Sequence, residues 1–186
     1  MNPYAAIGAA EWDWPRWEDL RFPAQGINPL GTASPPSVDT ADPFGGTFLF
    51  DAASTEVVAG IAQMPHGWKT GSEIRPHVHW SPVDASAGNV AWRLSYQIAN
   101  GGDVFPGSLT TAGIEVDAAD GVADKHQVHG LTAIDMSAYR ESCVIVWKVE
   151  RVGGDAADTY AADARFYEFD IHYQVTKNGT TVEYPA

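Results

Sequence analysis

The sequence has little cysteine, few basic residues and no long apolar run. Its single cysteine, Cys143, excludes an intrachain disulfide and a cysteine-based zinc site. Lys and Arg number 11 against 24 Asp and Glu, so the formal net charge is -13 at pH 7. Such a chain lacks the basic patch that neutralises nucleic-acid phosphates or anionic lipids. We therefore expect neither nucleic acid nor a membrane as a partner.

Targeting segments and common catalytic motifs are also missing. The chain starts without a basic region followed by an apolar run, so no signal peptide is predicted. No stretch approaches the ~20 apolar residues of a membrane span. Neither a G-x-S-x-G elbow nor a phosphate-binding glycine loop is present. A chain of 186 residues is expected to form one domain, made in a reducing cytoplasm, that folds without disulfides.

What the sequence does have is an uneven distribution of proline and tryptophan. Seven of the 12 prolines lie in the first 43 residues, where they exclude a long helix or a central strand. The same segment is too apolar to remain in water. We predict that residues 1–45 form an extended arm, which packs on its own domain or on a neighbouring subunit. Its candidate partner-binding residues are Trp12, Trp14, Trp17, Leu20 and Phe22.

The remaining residues, 46–186, consist of short apolar runs separated by turn residues. In the clearest run Val90, Trp92 and Leu94 share one face, while Arg93 and Ser95 share the other. This pattern predicts an all-β domain of about eight strands, an antiparallel β-sandwich of jelly-roll type. The predicted strands are 46–51, 56–64, 73–80, 89–99, 108–116, 126–134, 142–152 and 164–176.

The sharpest local motif is His77-Val78-His79. On a strand both imidazoles point to one face, and Val78 points to the buried side. Two histidines on one face are half of a metal site. With Gly71 they resemble the first metal motif of cupins, which implies a metal-dependent enzyme or a sugar-binding module. Asp84 is the available carboxylate, and nothing matches the second cupin motif. The other interpretation of His77 and His79 is an exposed strand face or a subunit contact.

A second polar group lies on the last predicted strand. Glu168, Asp170 and His172 share one face of it. If this strand pairs with 73–80, the histidines and carboxylates of both strands form one cluster. Strand order decides this, and the sequence does not reveal it.

Several stretches carry a family resemblance: residues 17–23 (WEDLRFP), 63–80 (QMPHGWKTGSEIRPHVHW), 151–155 (RVGGD), 158–160 (DTY), 163–165 (DAR) and 169–173 (FDIHY). They resemble a group of small virion proteins of tailed bacteriophages and prophages. The resemblance implies a capsid cement or decoration protein of jelly-roll type, without enzymatic activity or a cofactor. It implies a homotrimer, made in the host bacterial cytoplasm, that clamps neighbouring major capsid subunits from the outer surface of the virion.

The composition fits that expectation. An acidic surface repels packaged DNA, which suits a protein on the outside of a shell. Tryptophan in an arm offers a large contact area per residue, although ordering the arm costs conformational entropy.

Overall fold

The structure is a computed structural model that describes residues 16–27, 29 and 35–175. It contains ten strands and a three-residue 3₁₀ turn, Ala24–Gly26. No helix in these ranges is long and apolar enough to cross a membrane. The strands are β1 (Arg16–Pro23), β2 (Ser37–Val38), β3 (Phe48–Phe50), β4 (Thr55–Gln63), β5 (Arg75–Pro82), β6 (Asn89–Ala99), β7 (Thr110–Ala118), β8 (Gln127–Gly130), β9 (Val144–Val152) and β10 (Ala164–Val175).

The strands form two antiparallel sheets. One sheet has the order β2-β3-β10-β5-β8, with β1 also paired to β10, and the other has the order β4-β9-β6-β7. Counted from β3, the first, eighth, third and sixth strands share one sheet, and the second, seventh, fourth and fifth share the other. This is the double Greek-key arrangement of a jelly roll. The predicted all-β jelly-roll sandwich is confirmed.

Large side chains fill the space between the sheets. Val78 and Trp80 of β5 are fully buried, which confirms the predicted inward face of that strand. Trp92 of β6 meets Phe50 edge-to-face at 5.5 Å between ring centroids. Aromatic pairs of this kind contribute about 0.5–1.5 kcal/mol beyond their buried area. The largest fully buried aromatic side chains are Trp68, Trp80, Trp92, Trp147, Tyr160, Phe50, Phe166 and Phe169.

A buried arginine joins β9 to the acidic loop that follows it. Arg151 is completely buried, and its Nε and Nη2 donate to the two oxygens of Asp158 at 2.9 and 2.8 Å. Its Nη1 donates to the carbonyl oxygens of Phe50 and Ala162, and Nη2 donates to that of Tyr160. Every nitrogen of the guanidinium group therefore has a partner. We call Arg151 and these four partners the arginine cluster.

Residues 16–23, which the sequence analysis placed in the arm, form a strand of the six-stranded sheet. β1 pairs with β10 along its whole length, from Arg16 opposite Val175 to Pro23 opposite Glu168. β1 is an edge strand, so Pro23 at its end interrupts no further ladder. Residues 16–23 thus belong to the sandwich, with Leu20 and Phe22 half-buried against the core and Asp19 and Arg21 exposed on the other face.

Candidate functional site

The outer face of the six-stranded sheet brings the predicted polar residues together. β5 pairs with β10, with His77 opposite Asp170 and His79 opposite Glu168. Both histidines point away from the buried face that holds Val78. The conditional prediction of a histidine and carboxylate cluster across these two strands is confirmed. We call the group His77, His79, His172, Glu168 and Asp170 the histidine cluster.

Asp170 lies at the centre of the histidine cluster and is only 3% exposed. His77 Nε2 contacts Asp170 Oδ1, and His79 Nε2 lies 3.4 Å from Asp170 Oδ2. Burial opposes ionisation of Asp170, but the two imidazoles outweigh it and hold its pKa at about 2. The carboxylate is therefore charged at neutral pH, and the imidazoles of His77 and His79 stabilise its charged form.

Two polar atoms of the cluster lack a well-directed hydrogen bond. They are Asp170 Oδ1 and His79 Nε2, both of which are buried. The contact between His77 Nε2 and Oδ1 is close, but it lacks the directionality of a hydrogen bond. Buried polar atoms in proteins are normally paired, so each such atom calls for an explanation.

Neighbouring groups orient His77. Its Nδ1 lies 3.4 Å from the backbone oxygen of Arg75, which leaves Nε2 facing Asp170. Burial lowers the pKa of His77, but the close contact with Asp170 and its negative charge raise it more, so the net shift is upward. His77 thus gains a proton more readily beside Asp170 than in water.

His126, just before β8, extends the cluster. Its Nε2 lies 2.8 Å from His79 Nδ1, and the two rings stack with centroids 5.0 Å apart. Burial and the nearby charge of His79 lower the pKa of His126. No sequence pattern predicts this contact, because the two residues are distant in the chain and belong to different elements.

Edge strand β1 supplies residues that the sequence analysis did not assign to the site. Asp19 Oδ1 lies 2.9 Å from His172 Nε2, and the His172 ring lies 4.1 Å from that of His77. Arg21 donates two hydrogen bonds, of 2.8 and 2.7 Å, to the carboxylate of Glu168. The signal that could have placed these side chains on one face is their spacing of two residues within β1.

The candidate anchors of the arm divide between the two faces of β1. Phe22 packs between Trp147 and Phe169, with centroid separations of 5.1 and 6.0 Å, and Leu20 packs against the same core. Trp17 is on the outer face, 41% exposed. Leu20 and Phe22 therefore pack within the chain's own domain. Trp12 and Trp14 lie outside the described residues.

The predicted ligand set of His77, His79 and Asp84 is not brought together. Asp84 follows the end of β5, where its Oδ1 accepts hydrogen bonds from Tyr160 Oη at 3.0 Å and from the Ser86 amide at 2.9 Å. It belongs to neither group of converging ligand atoms found among residues 16–27, 29 and 35–175. The carboxylate beside the histidines is Asp170, from the paired strand.

Two groups of potential metal ligands share Asp170. One is His77, Asp170 and His172, and the other is His79, Glu168 and Asp170; in each, the ligand atoms lie within 4.8 Å of one another. A surface cleft of about 300 Å³ borders the first group. Imidazole and carboxylate together suit first-row transition metals. The cleft is lined by Arg75, Pro76, His77, Val128, Gly130, Leu131, Ala133 and His172.

Comparisons with known proteins give weak likenesses. No family model and no curated protein matches the sequence. Among solved structures, the chain is similar to the CBM36-1 domain of a multidomain xylanase from the hindgut metagenome of Trinervitermes trinervoides, at 13% identity and a TM-score of 0.45. The alignment covers 89% of this chain and 100% of that one.

Two further likenesses have the same character. A family 35 carbohydrate binding module from Clostridium thermocellum is 8% identical, with a TM-score of 0.49 and coverage of 82% of this chain and 97% of that one. The structure of infectious bursal disease virus Gx strain is 6% identical, with a TM-score of 0.39 and coverage of 88% and 33%. Scores this low carry no argument about function. The class defined by the strand order is the jelly-roll β-sandwich.

Proposed function

We propose that the protein is a non-catalytic virion component of a tailed bacteriophage, of the capsid cement or decoration type. It would bind major capsid protein from the outer surface of the shell, as a homotrimer. The observation that carries this proposal is the exposure of Trp17 on edge strand β1. Trp12 and Trp14 precede it in the sequence, so an aromatic-rich segment leads into the edge of a rigid sandwich.

Arg75 and His172 contact the exposed Trp17 ring and hold it on the surface. The guanidinium carbon of Arg75 lies 4.8 Å from the centre of the Trp17 ring, and the His172 ring lies 6.4 Å from it. A tryptophan and an arginine held together on a surface are the residue types that dominate binding energy in protein interfaces. Covering this pair with a neighbouring subunit would bury a large aromatic area without reorganising the sheet.

Charge and nucleophile chemistry also support a binding role. The net charge of -13 disfavours a surface that faces packaged DNA and suits the outside of a shell. The one cysteine of the sequence, Cys143, is buried, and burial raises its thiol pKa to about 11. It therefore carries little of the thiolate that nucleophilic catalysis needs. The trimer and the capsid partner are inferred from the family resemblance.

The test is whether the protein copurifies with phage particles. Phage particles induced from the bacterium that carries the gene are banded on a density gradient and analysed by mass spectrometry. We expect the full-length protein in the particle band at many copies. Its absence from purified particles would overturn the proposal.

A truncation then tests the role of the arm. Deleting residues 1–15 keeps β1, whereas deleting 1–45 would also remove the contacts of Phe22 with Trp147 and Phe169. We expect the truncated protein and Trp17→Ala to fold but to lose particle binding. The matched control is Ile61→Ala, because Ile61 is 65% exposed on the opposite sheet. Full occupancy by both the truncated protein and Trp17→Ala would contradict the anchoring role of this edge.

A further inference from the structure

We propose that His77, His172 and Asp170 bind one divalent first-row transition metal ion on the outer face of the six-stranded sheet. This inference goes beyond the virion role and does not depend on it. The three residues come from two central strands, so a bound ion would link β5 to β10 across the face that also carries Trp17.

Strand pairing already assembles the three ligands. Asp170 is directly opposite His77, and His172 lies two residues further along the same face of β10. Their ligand atoms lie within 4.8 Å of one another. Zinc bonds of about 2.0–2.2 Å place tetrahedral ligand atoms about 3.5 Å apart, so small side-chain rotations are enough to close the site.

A second, independent observation concerns an oxygen of the buried Asp170 carboxylate. Asp170 is 3% exposed, yet its Oδ1 has no well-directed hydrogen bond from any described residue. His77 Nε2 contacts this oxygen, but a buried carboxylate oxygen without a directed hydrogen bond still costs free energy. A cation beside Oδ1, held also by His77, would remove that cost.

The surrounding contacts match those of metal-bound histidines. Such imidazoles commonly donate their second ring nitrogen to a backbone oxygen or a carboxylate. His77 Nδ1 lies 3.4 Å from the Arg75 backbone oxygen, and His172 Nε2 lies 2.9 Å from Asp19 Oδ1. Arg75 and Asp19 would therefore act as positioning residues for the two ligands.

The first group is favoured over His79, Glu168 and Asp170. Arg21 engages both oxygens of Glu168, so that carboxylate is not free to bind an ion. The first group instead borders the cleft of about 300 Å³, where water can supply the remaining coordination positions. We therefore expect one ion for each chain.

The ligand chemistry selects the class of ion. Two imidazoles and one carboxylate suit Zn²⁺, Co²⁺, Ni²⁺ or Fe²⁺. Calcium and magnesium prefer sites built from oxygen atoms. We expect Ca²⁺ and Mg²⁺ at millimolar concentration to leave the site accessible to Co²⁺.

The experiment is a Co²⁺ titration of the full-length protein after treatment with a chelator, followed by visible absorption, with Zn²⁺ competition to obtain Kd. One equivalent is expected. His77→Ala, His172→Ala and Asp170→Asn should each weaken binding by at least about 100-fold, because each removes a direct ligand. His79→Ala is expected to retain binding. His129→Ala is the matched control, because His129 is a partly exposed β8 histidine outside both groups.

Two outcomes of this titration would overturn the proposal. Absence of stoichiometric Co²⁺ binding by the wild-type protein overturns the proposal. So does loss of binding in His79→Ala with normal binding in His172→Ala, which would assign the ion to the other group. The His172 side chain is 41% exposed, so His172→Ala is expected to fold. Zn²⁺ should raise the Tm of the wild-type protein but not that of His172→Ala.

Discussion

The arginine cluster and the histidine cluster are two buried charged sites that use their hydrogen bonds differently. In the arginine cluster, all three guanidinium nitrogens of Arg151 have acceptors, and the salt bridge to Asp158 is bidentate. In the histidine cluster, Asp170 faces imidazoles and keeps an oxygen without a directed partner. A complete network holds a loop in place, whereas an incomplete one leaves a position for a ligand.

The largest expected effect comes from breaking the arginine cluster. Arg151→Met removes the donor shared by three carbonyl groups and the Asp158 carboxylate, which keeps only the Ala91 amide among described donors. We therefore expect a loss of about 3–5 kcal/mol in the free energy of unfolding. Urea denaturation measures it. The control is Arg93→Met, because the Arg93–Glu150 pair is partly exposed. The control should lose about 1 kcal/mol or less. Equal, small losses in both variants would contradict a structural role for the arginine cluster.

The next effect tests whether β1 belongs to the sandwich. Phe22→Ala removes contacts with Trp147 and Phe169. Because Phe22 is half-buried, we expect about half of the ~3–5 kcal/mol lost when a fully buried phenylalanine is truncated. Trp17→Ala, on the outer face of the same strand, should change unfolding by less than about 1 kcal/mol. A larger loss for Trp17→Ala than for Phe22→Ala would show that the inner and outer faces of β1 are assigned wrongly.

The two clusters should also differ in how they make the stability of the metal-free protein depend on pH. The pKa of Asp170 is lowered to about 2, so its contribution to stability is present above its unfolded pKa and is lost as the pH falls towards 2. The pKa of His77 is raised, so its contribution is present below its unfolded pKa and is lost as the pH rises through the folded one. Together they stabilise the fold most between about pH 4 and 6.5.

This window is measured as the difference in unfolding free energy between the wild-type protein and Asp170→Asn, from pH 2.5 to 9 without metal. We expect a maximum difference on the order of 1–2 kcal/mol inside the window. Arg151→Met should show no comparable maximum, since the guanidinium does not titrate in this range. A difference that is flat across the whole pH range would contradict the described coupling of His77 with Asp170.

The smallest expected effect concerns Asp84. Its carboxylate interacts with Tyr160 and Ser86, away from both groups of ligand atoms. Asp84→Asn keeps an acceptor for Tyr160, so the Kd for Co²⁺ should be unchanged. Loss of metal binding in this variant would restore the cupin-like ligand set predicted from the sequence.

Local patterns predicted the strands but not their neighbours. All eight strands predicted between residues 46 and 176 overlap observed strands, because each carries its own alternation of side chains. β1 was missed because its proline-rich surroundings suggested an arm, although Leu20 and Phe22 alternate with Asp19 and Arg21. Proline disfavours the interior of a central strand, but it is compatible with an edge strand such as β1 and with the ends of a central strand such as β5.

The candidate site was half predictable for the same reason. His77 and His79 were visible as a pair within one strand, and Asp170 and His172 within another. Only the pairing of β5 with β10, nearly a hundred residues apart in the chain, brings them into contact. Asp84 was a plausible ligand by distance along the sequence, but the strand ends before it and its turn is tied to Tyr160.

The most direct test of the contrast between the two clusters is an anomalous difference map, collected at the zinc edge from crystals of the protein grown with Zn²⁺. We predict one strong peak for each chain, bonded to His77, Asp170 and His172 on the outer face of the six-stranded sheet. No peak is expected beside Asp158, whose carboxylate is already paired with Arg151. A map without density at Asp170, or with its peak at His79 and Glu168, would contradict the account.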